Sequence, residues 1–271
     1  MSASRRPAFA DDRWYPSSSE ALKSTIDGLL TDGPALAAIA IVAPHAGLFY
    51  SGRVAGAVYG SVVVPNRVIL LGPNHRGVGA RAAIMREGTW LIPGAEIPID
   101  SFGAAQLMRH EPSLVHDPDA FAAEHSLELQ LPFLWRRNPN VSLIPVCLGP
   151  LSPDACLALG ASLARTVRDL PGDTLIVASS DMNHFDTSTV GEAKDRRAID
   201  RLEALDPRGL YNTVRAHNIS MCGVVAASAA LQAAIQLGAT ASELIQYEDS
   251  SIASGDNRSV VGYAGIRIRA Q

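Results

Sequence analysis

The sequence predicts an α/β protein built on a largely parallel sheet with helices on both faces, and three observations carry that expectation. Five short runs, 37–43, 67–71, 141–148, 174–178 and 260–268, are apolar without alternation, as suits strands covered on both sides. Stretches with helical character lie around and between them, at about 19–30, 52–63, 101–109, 124–137, 152–169, 192–205 and 223–237. Alternation of this kind is the signature of a parallel sheet with crossover helices. Three of the apolar runs then spill into histidine: AIVAPHAG at His45, VILLGPNH at His75 and LIVASSDMNH at His184.

Along the chain, the stretch from Ala80 to Ile99 is broken by Gly and Pro, which predicts short antiparallel strands or an inserted hairpin beside the main sheet. Residues 124–137, EHSLELQLPFLWRR, read as a helix with Leu127, Leu131 and Leu134 as its buried stripe. Glu124 and Glu128 would share one face of it, with His125 beside Glu128, and spacing alone makes that face a solvated one. It is not the H-E-x-x-H of zinc proteases, because no second histidine follows at i+4. In 152–169, Ser152 can cap, Pro153 suits the first turn, Leu157, Leu159, Leu163 and Val167 form a stripe, and Pro171-Gly172 ends the helix. An Ala-rich helix opens at about Gly223. No linker, charge block or regular repeat divides the chain, so residues 1–271 read as one domain.

Composition narrows the function. With 47% hydrophobic and 18% charged residues the chain resembles an ordinary soluble protein. A net charge of −4 argues against nucleic acid or an anionic membrane as partner. No apolar stretch approaches the ~20 residues that span a bilayer. The start, MSASRRPAFADDRWYP, has no apolar core of a secretory signal. The three cysteines, Cys147, Cys156 and Cys222, are too few and too scattered for a disulfide framework, so a reducing cytoplasm is the expected location.

In parallel sheets, ligands bind beyond the carboxyl ends of the strands. His45, His75, Asp181 and His184 each follow such an end within roughly two to seven residues, so one sheet edge can gather them. A single loop histidine is ordinary; the recurrence points to a site, and imidazole is the commonest metal ligand. Cys222, just before the Ala-rich helix, would feel the positive end of its dipole and ionise more easily. It is then a metal ligand or a nucleophile, or else a small buried hydrophobe. Cys147 and Cys156 read as core residues, and His110, His116 and His217 as surface residues.

Taken together, RWYP, IVAPHAGLFYSG, ILLGPNH, EHSLELQLPFL, LIPVCLG, VASSDMNHF, LDP, SMCG and DNRSVVGYAG resemble the Memo family, whose bacterial and archaeal members are called AmmeMemoRadiSam system protein B. That family is similar to class III extradiol dioxygenases, non-haem iron enzymes that open catechol rings. The resemblance implies a three-layer α/β/α sandwich around a central mixed, mostly parallel sheet. It implies one metal ion held by His45, His75 and Cys222, with Cys222 standing where the dioxygenases have a carboxylate. His184 would match a catalytic acid–base histidine, His125 a second active-site histidine, and Asp181 a residue that orients the site. Fe(II) is the first expectation; a thiolate is softer than a carboxylate and keeps copper and zinc open. The leading function is a metal-dependent oxidoreductase of dioxygenase type acting on a small, aromatic molecule. The alternatives are a peptide or phospho-ligand binding module, as family members in animals imply, and a hydrolase using Cys222, His184 and Asp181. Prokaryotic members imply a functional association with a radical SAM protein and a companion domain.

Overall fold

The computed structural model describes residues 4–5 and 7–270. The strands are β1 (Ser4–Arg5), β2 (Ala40–Ala43), β3 (Arg67–Pro73), β4 (Ala82–Ile84), β5 (Thr89–Ile92), β6 (Ala95–Pro98), β7 (Val115–His116), β8 (Ser142–Leu148), β9 (Thr174–Ser179), β10 (His184–Asp186), β11 (Ala241–Asp249) and β12 (Val260–Arg269). The helices are α1 (Ser19–Leu29), α2 (Leu48–Gly60), α3 (Ser101–His110), α4 (Leu131–Arg137), α5 (Pro153–Asp169), α6 (Ser188–Glu203), α7 (Pro207–Ala216), α8 (Val224–Gln236) and α9 (Ser251–Ser254).

The main sheet runs β10-β12-β2-β9-β3-β8-β4-β7, with β11 added on β12. Its centre, β2-β9-β3-β8, is parallel throughout. Antiparallel pairs flank that centre, β12 on β2 and β4 on β8. The sheet is therefore mixed, with the parallel core that the apolar runs predict. The β5–β6 hairpin, with β1, makes a separate three-stranded sheet in the Gly- and Pro-broken region.

Strand residues alternate between two cores. Val42, Ile69, Leu71, Ile144 and Ile176 face α5 and α8, whereas Ile41, Val68, Leu70, Leu143 and Val177 face α1, α2 and α4. All ten are buried, each stabilising the fold by roughly 1.5–3 kcal/mol. This double burial is why the runs carry no polar alternation. The arrangement is three layers, helices on each side of the sheet. Among the described residues, no helix is long and apolar enough to cross a membrane.

Helix α5 begins as its sequence dictates, with the Ser152 hydroxyl accepting from Ala155 N and Pro153 in the first turn. Two helices differ from expectation. Helix α2 starts at Leu48, directly after Pro44-His45-Ala46-Gly47, rather than at 52. The segment 124–137 is not one helix: a turn and a short 3-10 stretch at Glu128–Gln130 precede α4, which starts at Leu131. Pro132 is the reason. It has no N–H to give and would clash with the carbonyl four residues back, so it suits a first turn and blocks a helix running through it.

Candidate metal centre

Strands β2 and β9 pair up to their last residues, Ala43 opposite Ser179. Two residues beyond these ends come His45 and Asp181, and the His45 N–H donates to Asp181 Oδ1 at 2.7 Å. Strand β3 lies on the other side of β9 and ends at Pro73, so His75 emerges at the same edge. The rings of His45 and His75 are 5.2 Å apart, and that of His125 is 5.4 Å from the first and 4.6 Å from the second. Among the described residues, His45, His75 and His125 are the one set of His, Cys, Asp or Glu whose ligating atoms all lie within 4.8 Å of one another. This group could hold a metal ion.

The tautomer of His45 follows from its neighbours. Ser179 Oγ donates its single proton to Ser126 O at 2.6 Å. It therefore accepts from Gln130 Nε2 at 2.8 Å and from His45 Nδ1 at 2.8 Å. Gln130 is itself fixed, donating to Pro44 O and accepting from Tyr59 Oη. With its proton on Nδ1, His45 presents a lone pair at Nε2. The side chain is 1% exposed, and burial, with His125 and His75 nearby, keeps the ring neutral far below the usual histidine range.

Glu124 holds His75 in two places: Oε2 accepts from the backbone N–H at 2.7 Å and Oε1 from Nδ1 at 2.9 Å. Burial alone would raise this carboxyl, but bonds from His75 and from Ser126 N outweigh it and hold it at about 2. The anion fixes the His75 proton on Nδ1 and again frees Nε2. His125 is different. Its Nδ1 is buried without a hydrogen-bond partner, 3.5 Å from Glu124 Oε1. Burial and the neighbouring His75 bring its pKa down to about 4. Imidazoles anchored at Nδ1 with Nε2 turned to a common point, and an orphaned ring nitrogen beside them, form a donor set that fits a borderline metal ion.

Cys222 stands next to the set, its Sγ 3.3 Å from His45 Nε2 and accepting from Asp181 N at 3.3 Å. Gly223 permits that approach: a Cβ there would meet Ser179 O at 2.3 Å. The expected activation by the helix terminus is overridden. Burial, then the Asp181 carboxylate, pushes the thiol up instead, so it stays protonated until a cation takes the proton's place. Asp181 is pushed up too, by burial. His184 follows at the start of β10, its backbone N–H on Ser220 Oγ at 2.7 Å and its Nδ1 buried without a partner. Among the described residues no hydrogen bond joins His184 to Cys222 or Asp181, so the hydrolase reading has no assembled triad.

Sequence reasoning misplaced the acids of 124–137. Neither lies on a solvated face: Glu124 and Glu128 are both buried. Glu128 accepts from Arg5 Nη1 at 2.7 Å, Phe9 N at 2.8 Å and Tyr15 Oη at 2.8 Å, tying the N-terminal segment down. That segment sets Trp14 against His125, ring centroids 4.6 Å apart. Ser179 and Gln130 were missed as well; the available signal was polar residues embedded in otherwise apolar motifs. Cys147 and Cys156 are buried as expected. His116 and His217 are exposed, but His110 is half-buried, with Nδ1 on Thr166 Oγ1 at 2.9 Å and Nε2 3.1 Å from Asp169.

Comparison with known proteins fits this architecture. The family model described as Memo-like protein matches residues 5–267. A MEMO1 family protein of Methanopyrus kandleri is 35% identical, over 98% of this chain and 99% of its own. Similar proteins of that description occur in Aquifex aeolicus, 34% identical over 97% and 98%, and in Aeropyrum pernix, 31% identical over 97% and 99%.

Proposed function

The chain belongs to the Memo-like protein family, and from that premise we propose that it is a metal-dependent oxidoreductase of dioxygenase type acting on a small, aromatic molecule in the cytoplasm. One contrast carries the reading. His45 and His75 have Nδ1 fastened, to Ser179 and Glu124, which leaves the lone pair on Nε2, at His45 facing Cys222 Sγ. His125 and His184 have Nδ1 buried with no partner. Histidine ligands characteristically donate their other N–H to a fixed acceptor; His45 and His75 are anchored in that way, and His125, though within reach of both, and His184 lack the anchor.

In this proposal the ligands are His45, His75 and Cys222, although the cluster whose ligating atoms all lie within 4.8 Å of one another has His125 in place of Cys222. The Sγ to Nε2 distance of 3.3 Å is what two ligands of one small ion adopt, and the ion would replace the thiol proton between them. A redox-active ion, Fe(II) first and copper next, would supply electron exchange with O₂ and open coordination positions. His184 moves a proton, a task imidazole suits near neutral pH. His125, pressed between Trp14 and His75, steadies the bound molecule. Asp181 fixes the backbone of His45. The protein would act in functional association with a radical SAM protein and its companion domain.

Cobalt(II) tests the ligand set. Loaded wild-type protein should show a thiolate-to-metal charge-transfer band in the near ultraviolet, lost in Cys222→Ser with the ion still bound more weakly. If the band is absent from wild type and His125→Ala sheds the ion, the third ligand is His125 instead. A protein that retains no ion but binds a phosphopeptide would replace the proposal with the binding-module reading.

A further inference from the structure

Beside the histidines lies a cavity of about 300 Å³, walled by His75, Cys222, Leu148, Met221, Tyr211 and Arg215. That volume is at the small end of ligand sites. Among the described residues no aspartate or glutamate lines the cavity, Glu124 and Asp181 lying behind His75 and Cys222, and Arg215 is its one permanently charged wall residue. Arg208 on the same helix pairs with Asp154 at 2.6 Å, whereas Arg215 has no ion-pair partner among the described residues. Its guanidinium lies 6.0 Å from the centroid of the Tyr211 ring, and that ring is pinned by the Tyr211 hydroxyl donating to Leu151 O at 2.7 Å. The first turn of α8 has no side-chain cap and contributes Val224 and Val225 to the wall, adding the positive end of a helix dipole to the same space.

We infer that this cavity binds a small organic monoanion, with an apolar body against Leu148, Met221 and Val225 and a carboxylate on Arg215. The bound molecule then lies against His75 and Cys222, which makes the substrate of the proposed oxidoreductase an apolar or aromatic acid. That last step rests on the proposed function; the binding site does not. A guanidinium facing a carboxylate in a partly enclosed cavity is the pairing its planar fork favours. Arg215 is exposed, so an uncharged molecule of the same shape would leave its guanidinium to water.

Benzoate and its neutral analogue benzamide test this by titration into metal-free protein. Benzoate should bind the more tightly. Arg215→Gln should weaken benzoate by about tenfold or more and leave benzamide unchanged, and Arg215→Lys should recover part of the loss. Val224→Phe, which crowds the wall, should weaken both probes. Equal binding of the two probes to wild type, no detectable binding of either, or full benzoate affinity in Arg215→Gln would overturn the inference. Because no metal is present, these outcomes are separate from the cobalt spectrum: charge-selective binding without a metal site leaves the cavity standing and removes the enzyme reading, and the converse removes the cavity alone.

Discussion

His75 and His184 emerge from the same edge of one sheet, each a few residues past a parallel strand, yet they are held in opposite ways. At His75 a single buried carboxylate takes both the backbone N–H and the ring Nδ1. At His184 the backbone is held just as firmly: its own N–H goes to Ser220, while neighbouring Asn183 is bound through N to Asp195 and accepts from Ser220 through Oδ1. Its ring nitrogen Nδ1 has no partner, and the next residue, Phe185, is 78% exposed. The two holds suit the roles proposed above: a ligand would present one lone pair in one direction from a ring locked from behind, and a proton carrier would exchange partners with only its position fixed. The same comparison separates His45 from His125.

The largest test of that contrast is to remove each ring. His75→Ala should weaken metal binding by about a hundredfold or more, as loss of one of a few ligands requires, while His184→Ala should stay within about threefold of wild type. Competition with a chromophoric chelator measures both. Similar losses in the two variants would erase the distinction. Glu124→Gln probes the lock rather than the ligand. The amide keeps the shape of the carboxylate but cannot accept from His75 N, His75 Nδ1 and Ser126 N together, and affinity should fall about 10–100-fold. A Glu124→Gln protein that binds metal like wild type would mean that packing alone aims His75.

A smaller effect comes from pH. His125 has its pKa lowered from 6.5 to about 4 by burial and by His75. Across that window the unfolded chain takes up a proton that the folded protein refuses, so stability falls as pH drops from 6.5 toward 4 and is restored as it rises. His45 acts in the same direction. Glu124, held at about 2, begins to lose its stabilising contribution only below about 4.5. Metal-free protein should lose about 2 kcal/mol between pH 7 and pH 5 on account of His125. Urea unfolding at the two pH values measures it, and His125→Asn should flatten the slope. An undiminished slope in that variant would assign the acid sensitivity elsewhere.

The sheet edge and its histidines were legible because the signal is local: an apolar run followed within a few residues by His45, His75 or His184. Helices α5 and α8 were legible for the same reason, from a cap and proline or from composition. What holds the histidines was not. Glu124 and Glu128 occupy helical spacing, and only Pro132 warned that one helix could not run through them. The groups that bind Glu128 come from Arg5, Phe9 and Tyr15, more than a hundred residues away, and no periodicity reports such pairing. Cys222 shows a local rule overruled: its place before α8 was visible, but the burial and the Asp181 carboxylate that push its thiol up arise from chain packing. Strand β11, ASELIQYED, went unseen because it is half-buried along nearly its whole length and carries no apolar run.

The smallest prediction concerns the loosely held side of the comparison. Phe185 has φ of 68°, the left-handed region in which a residue with a Cβ is strained by about 1–2 kcal/mol. Its ring, largely in solvent, contributes little burial in return. Phe185→Gly removes the strain at the cost of roughly 0.5–1 kcal/mol in unfolded-state entropy, so the variant should be more stable than wild type by about 0.5–1 kcal/mol. Metal affinity should not change, because no ligand is touched. If His184 carries the proposed proton transfer, strain retained beside it in β10 would serve the bound molecule, and Phe185→Gly would then gain stability while losing turnover. A destabilised Phe185→Gly would instead mean that the ring packs on the protein in solution, and the side of the site holding His184 would then be as firmly built as the side holding His75.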